Sequence, residues 1–197
     1  MKAIGFKTSL PITEQNSLFE FETEKPMPGE HDLLVKIEAV SVNPVDFKIR
    51  KSNARNIVLD NPKIIGWDAV GVVEAIGNKV TLFNAGDHVY YAGDITKQGS
   101  NAEYQTIDER IVGKKPVSLS IEESAVIPLT GLTAWETLFD RVRISPEKDK
   151  GKSILIIGGA GGVGSIAIQL AKKSSRLNCN CNSIKTRNCQ MVQTARS

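Results

Sequence analysis

Cysteine is missing from the first 178 residues of this 197-residue chain, and the three present, Cys179, Cys181 and Cys189, fall in its last nineteen. A disulfide-stapled secreted fold is therefore excluded for the body of the chain. Histidine is scarce as well, with only His31 and His88, so a metal centre built on imidazole has few ligands to draw on. No segment approaches the roughly 18 to 20 uninterrupted apolar residues of a membrane span, and the opening MKAIGFKTSL lacks the apolar core of a signal peptide. The expectation is a soluble, cytoplasmic protein that crosses no membrane. Charge of one sign is not in excess either: 25 basic against 22 acidic side chains leave a net +3, too balanced to draw the whole surface to phosphate backbones, and nucleic acid is not an expected partner.

What is present is a run of short, glycine-punctuated segments. DLLVKIEAVSV (Asp32 to Val42), DAVGVVEAIG (Asp68 to Gly77), GDHVYYAG (Gly86 to Gly93) and NAEYQTIDERIVGKKP (Asn101 to Pro116) alternate or run apolar between turn residues, as strands do. Strands this short and close predict a mostly antiparallel, barrel-like domain over residues 1–119. After Pro116 the period changes. SIEESAVIPLTGLTAWETLFDRV (Ser120 to Val142) places apolar residues at helical spacing behind a Ser120 cap, predicting two short helices broken near Pro128.

KSILIIGGAGGVGSIAIQLAKK (Lys152 to Lys173) then reads as strand, glycine turn and helix, with lysines at the helix C-terminus. Within it Gly159-x-Gly161-x-x-Gly164 satisfies a dinucleotide-binding fingerprint, with Gly158 just ahead. That chemistry needs glycine because the chain must turn sharply out of the strand, approach a diphosphate without an intervening Cβ, and pack the helix close. The helix, starting near Gly162, would aim its unpaired N–H groups at the phosphates.

The remaining residues, 174–197, carry few apolar side chains and no strand pattern, and are expected to be poorly ordered. Cys179-x-Cys181 is closer than the roughly two to four residues that usually separate paired zinc ligands, so that cluster reads as incidental. One permitted choice of codons for Asn178 onward, read one base later, would encode IVIATASRPETVKWCKQLGA, a strand followed by Ser-Arg-Pro-Glu and a helix. That is the second βα unit the fingerprint calls for, so the tail is expected to stem from a frameshift after about residue 173 in a truncated chain.

The ordered set VSVNPVDFKIR, IIGWDAVGVVEAIGNKV, GDHVYYAG, PLTGLTAWETLFDR and LIIGGAGGVGSIAIQLAK resembles the medium-chain dehydrogenase/reductase superfamily, and within it the zinc-independent quinone oxidoreductase type, often named zinc-type alcohol dehydrogenase-like. The resemblance spans residues 1 to about 173. It implies a mainly β GroES-like domain (1–119) followed by linking helices and the first βα unit of an incomplete α/β Rossmann domain (120–173). It also implies NADPH as cofactor, with NADH possible, a small quinone or conjugated enone as substrate, and homodimers among intact members.

Residue by residue, the resemblance puts Asn43 beside the nicotinamide, with Asp46 and Lys48 ordering its loop. Thr130 would lie near the nicotinamide ribose, and Gly158, Gly159, Ala160, Gly161, Gly162, Val163 and Gly164 would hold the diphosphate. Tyr90 and Trp67 would line the substrate pocket. Plainer uses exist for some of these: Asn43-Pro44 is a good turn former and Asp46 can cap a helix. Zinc-dependent members carry a cysteine where this chain has Asn43 and Gly-His-Glu where it has Gly66-Trp67-Asp68, so no zinc is expected. Two alternatives remain open at the level of sequence: an inactive GroES-like fragment that self-associates, and a zinc-dependent alcohol dehydrogenase with unusual ligands.

Overall fold

The structure, a computed structural model, describes residues 1–52, 54–55, 57–175 and 177–182. The chain divides into two units, Met1–Leu129 and Thr130–Ser197. The division falls later than residue 119 because the short helix α2 (Ile121–Ala125) lies against strands of the first unit. Its start follows the local chemistry: the Ser120 hydroxyl accepts the Glu123 N–H and the Glu123 carboxylate accepts the Ser120 N–H, a reciprocal capping box.

The first unit holds two antiparallel sheets. One is ordered β2 (Phe19–Glu22), β1 (Lys2–Phe6), β4 (Lys63–Ile64). The other is ordered β7 (Tyr104–Asp108), β3 (Asp32–Val40), β5 (Ala69–Ile76), β6 (His88–Tyr91), β8 (Gly113–Lys114). Leu33, Val35, Ala69, Val73, Val89, Tyr91 and Ile107 alternate onto one face of the larger sheet and close a core with Phe83. Removing each such Val or Leu from water is worth about 1.5–3 kcal/mol, which fixes register, because a one-residue slip would turn the whole set outward.

A second cluster, Phe6, Ala54, Ile65 and Trp67 with Val45 and Ile49 beside it, buries the inner face of helix α1 (Pro44–Ser52). Register shifts between Leu34/Val35 and Ile37/Ala39 interrupt the β3–β5 ladder on its way to the Ser41–Asn43 turn. Both strands therefore bring a polar end together: Ser41 follows β3 and Asp68 precedes β5.

Helix α3 (Pro128–Trp135), whose first two residues close the first unit, runs into a π-helical turn, Glu136–Arg141, which the apolar spacing alone did not reveal. Strand β9 (Ser153–Ile157) then leads through a glycine turn into helix α4 (Gly162–Ser175). Ala134, Leu138, Ala167, Ala171 and Leu177 form the second unit's core. The expectation of no ordered strand after residue 173 is corrected: α4 continues to Ser175, and β10 (Asn178–Asn182) pairs in parallel with β9, from Asn178↔Ser153 to Asn182↔Ile157. Its sequence NCNCN has little strand propensity. The strand forms because buried Leu177 anchors its start and the β9 backbone supplies a waiting ladder. The rest of the expected tail, residues 183–197, lies outside the described residues, as does Cys189.

Candidate functional site

Two constellations carry chemistry, one in each unit. In the first, Asn43 occupies the N-cap position of α1. Asp46, three residues in, accepts the Asn43 backbone N–H on Oδ2 at 2.5 Å, the half of a capping box in which the internal acid reaches back. Asn43 does not return the favour with its side chain. Its Nδ2 instead donates to Asp68 Oδ2 at 2.7 Å and comes within 3.3 Å of Ser41 Oγ.

Asp68 is the hub of this cluster. Only 1% of its surface is exposed. Its Oδ2 also accepts the Ser41 hydroxyl at 2.8 Å, and its Oδ1 accepts the Leu129 N–H, in the first turn of α3, at 2.8 Å. The Asp68 backbone carbonyl takes the hydroxyl of buried Ser100 at 3.2 Å. Burial pushes the Asp68 carboxyl above its ordinary range, against the pull of the Ser41, Asn43 and Leu129 hydrogen bonds, and the nearby Asp46 charge adds to the rise. Burial likewise raises Asp46. Among the described residues neither acid has an ion-pair partner. The carboxylates are held by neutral donors alone.

The second constellation is the glycine turn. Gly158 has φ of +72°, a left-handed conformation that costs other residues about 1–2 kcal/mol. Gly161 N–H closes the turn on the Gly158 carbonyl at 2.9 Å. A Cβ at Gly164 would stand 2.4 Å from the Gly158 oxygen and 2.7 Å from Gly159 Cα, so only glycine lets α4 pack this near the turn. The Ser165 N–H reaches the Gly161 carbonyl at 2.9 Å, the first such bond of α4. The N–H groups of Gly162, Val163 and Gly164 consequently have no acceptor within the helix, which is what a bound anion would use. Ala160 is half-buried and Val163 exposed. A Cβ at Gly162 would lie 3.1 Å from Thr130 Cγ2, so Thr130 sits beside this turn.

The remaining expected site residues fall elsewhere. Lys48 is exposed on α1 and takes no part in the Asp68 cluster. Trp67 is buried to 1% in the core with Phe6 and Ile65 rather than on a pocket wall, and its indole N–H has no partner among the described residues. Tyr90 lies half-buried against Gly113 on the side of β6 opposite the main core, whereas Tyr91 points into that core and donates to Gln105 Oε1 at 3.0 Å. Asp68 is the residue that sequence reasoning passed over. Its signal was an acid immediately ahead of the apolar run AVGVV at residues 69–73, a position that is costly to bury without partners.

Among the described residues no three His, Cys, Asp or Glu side chains converge as metal ligands, and no helix is long and apolar enough to cross a membrane.

Residues 29–117 match the family profile of the alcohol dehydrogenase GroES-like domain. The chain is 53% identical over 174 residues to a zinc-type alcohol dehydrogenase-like protein of Staphylococcus epidermidis, covering 87% of this chain and 51% of that protein. Among solved structures, a putative zinc-dependent alcohol dehydrogenase from Rhizobium etli superposes with TM-score 0.90 at 46% identity, over 99% of this chain and 56% of that one. Escherichia coli quinone oxidoreductase, solved in complex with NADPH, superposes with TM-score 0.78 at 25% identity, over 99% of this chain and 56% of that one. The chain thus spans about half the length of the curated relatives it matches.

Proposed function

Because the chain belongs to the medium-chain dehydrogenase/reductase superfamily, we propose that it is the GroES-like portion and first nucleotide-binding unit of an oxidoreductase that reduces quinones or conjugated enones with NADPH and without metal. The observation that carries this reading is the glycine turn: a left-handed Gly158, a Gly164 that no side chain could replace without clash, and a 14-residue helix opening directly behind them. Such a turn fits a dinucleotide diphosphate, held by the N–H groups of Gly162, Val163 and Gly164, with Thr130 beside them. When bound, the nicotinamide cofactor supplies the hydride, and the protein's part is orientation and exclusion of water.

The metal-free reading is supported by donor chemistry. At the positions where zinc-dependent members place thiolate and imidazole, this chain has Asn43, whose amide nitrogen faces Asp68, and Trp67, which is packed in the core. Asp68, the ligand-type side chain beside them, already accepts three hydrogen bonds from neutral donors. Quinone or enone reduction suits a site without a Lewis acid, since hydride addition gives a delocalised anion that hydrogen bonds and solvent can stabilise. The lack of cysteine before residue 179 suits a reducing compartment such as the cytoplasm.

One observation favours a second reading, self-association. Leu155 and Ile157, on the face of β9 turned away from the core, are 65% and 79% exposed, an apolar stripe of the kind that draws other chains. Purified chain titrated with NADPH, assayed for NADPH oxidation with menadione and run on size exclusion separates the two. Saturable NADPH binding supports the reductase scaffold. Concentration-dependent oligomers with no nucleotide binding would replace it with the associating fragment.

A further inference from the structure

Asn43 stands at a helix N-cap, yet Asp46 satisfies the backbone there and leaves the Asn43 amide to turn toward β5. Asn43 Nδ2 is the amide atom 2.7 Å from Asp68 Oδ2, the orientation that an ionised carboxylate, which only accepts hydrogen bonds, requires. That same Oδ2 takes the Ser41 hydroxyl proton at 2.8 Å, so what Ser41 offers Asn43 across 3.3 Å is a lone pair, met by the second Nδ2 proton. Both amide protons are therefore spent inward. Oδ1 is left as the polar atom of this side chain with no hydrogen bond among the described residues, and it is not among the sealed polar atoms of the interior.

We propose that Asp68 is a positioning residue that locks the Asn43 amide so that it presents an acceptor oxygen, and that the ligand group Asn43 takes is a hydroxyl or N–H, not a carbonyl oxygen. This deepens the reductase reading above and rests on it for the ligand's identity. Turning the amide over would set Oδ1 against the carboxylate, two acceptors facing one another with no proton between them, and would strip Oδ2 of one of its two donors. A quinone, which carries only carbonyl oxygens, gains no hydrogen bond from Asn43 held this way. A nicotinamide nucleotide does, because its ribose hydroxyls and carboxamide N–H are donors. Any donor that steadies the reduced quinone oxygen must then be found elsewhere than Asn43.

The test begins on the unmodified chain, labelled with 15N, by following exchange of the Asn43 side-chain amide protons in NMR spectra. They are expected to exchange about tenfold or more slowly than those of exposed asparagines, the scale of a hydrogen bond to a charged group. Asp68→Asn, which keeps the shape and can still accept the Leu129 N–H, should erase most of that protection while the backbone amides of residues 41–46 keep theirs. A merely structural Asp68 would show the reverse pattern. In separate titrations, Asn43→Ala should weaken NADPH about fivefold and leave menadione affinity within about twofold. An unprotected Asn43 amide in the unmodified chain, or a selective loss of menadione, overturns the proposal. Failure of every variant and the unmodified chain to bind NADPH, with the amide still protected, overturns the nucleotide reading while upholding the Asp68–Asn43 lock.

Discussion

Replacing Gly164 by alanine isolates the feature on which nucleotide binding depends. The added methyl would lie 2.4 Å from the Gly158 carbonyl oxygen and 2.7 Å from Gly159 Cα. Both are backbone atoms, so no side chain can swing aside; either the turn opens or α4 shifts away from β9. Forcing a methyl into a filled space costs about 1–3 kcal/mol, and a chain of about 150–250 residues loses about 2–4 °C of melting temperature per kcal/mol. Gly158→Ala makes the contrasting control. Its methyl would meet nothing within 4 Å, but φ of +72° charges it about 1–2 kcal/mol of backbone strain. The two variants should therefore melt lower by similar amounts, of order 2–10 °C, for different reasons, and both should lose NADPH affinity about tenfold or more as the N–H groups ahead of Ser165 are displaced. Thermal melts by circular dichroism and NADPH fluorescence titration read both quantities. A Gly164→Ala chain that melts and binds like the unmodified one would refute the reasoning.

Other expectations follow from the first unit. Trp67→Ala should cost about 3–5 kcal/mol in urea unfolding, whereas Trp67→Phe should cost clearly less, because losing ring area is offset by removing an indole N–H that has no partner among the described residues. Asp68 has a raised folded pKa, so the folded chain holds that proton more tightly than the unfolded one. Its contribution to stability is therefore most favourable at low pH and falls as pH rises from the unfolded carboxylate value of about 3.9 through the higher folded value. Urea midpoints across that window should show the stability gap between the unmodified chain and Asp68→Asn shifting toward the variant as pH rises; a gap that does not move would contradict the burial argument. Ser120→Ala should remove about 1 kcal/mol by undoing the capping box at α2, measurable as a lower urea midpoint. Leu155→Lys should leave the melting temperature nearly unchanged, since the side chain is 65% exposed, while reducing any self-association seen by size exclusion.

Local patterns carried the parts of this fold that local physics decides. Val and Ile runs between glycines marked β3, β5, β6 and β9, and Ser120 with Glu123 marked the start of α2. The glycine spacing placed the start of α4 at Gly162. The Asp68 cluster was not legible, because what makes it a site is tertiary: a turn 25 residues earlier brings Asn43, and α3 supplies the Leu129 N–H 61 residues later. Asp46 illustrates the reverse, since the plain helix-capping role open to it in the sequence is the one the structure shows. Trp67 was placed by its position in a motif, yet an aromatic ring between β1 and α1 is held by area, and it packs in the core. β10 was hidden because Asn and Cys say little about strand formation, and only the partner backbone of β9 decides it.

The most direct test of the central claim is an NMR titration of the 15N-labelled chain with NADPH, reading the backbone amides from Gly158 to Ser165. Saturable shifts concentrated on Gly162, Val163 and Gly164, and lost in Gly164→Ala, are the result the account predicts. Undisturbed amides in that turn, with the strands of both units intact in the same spectra, would contradict it.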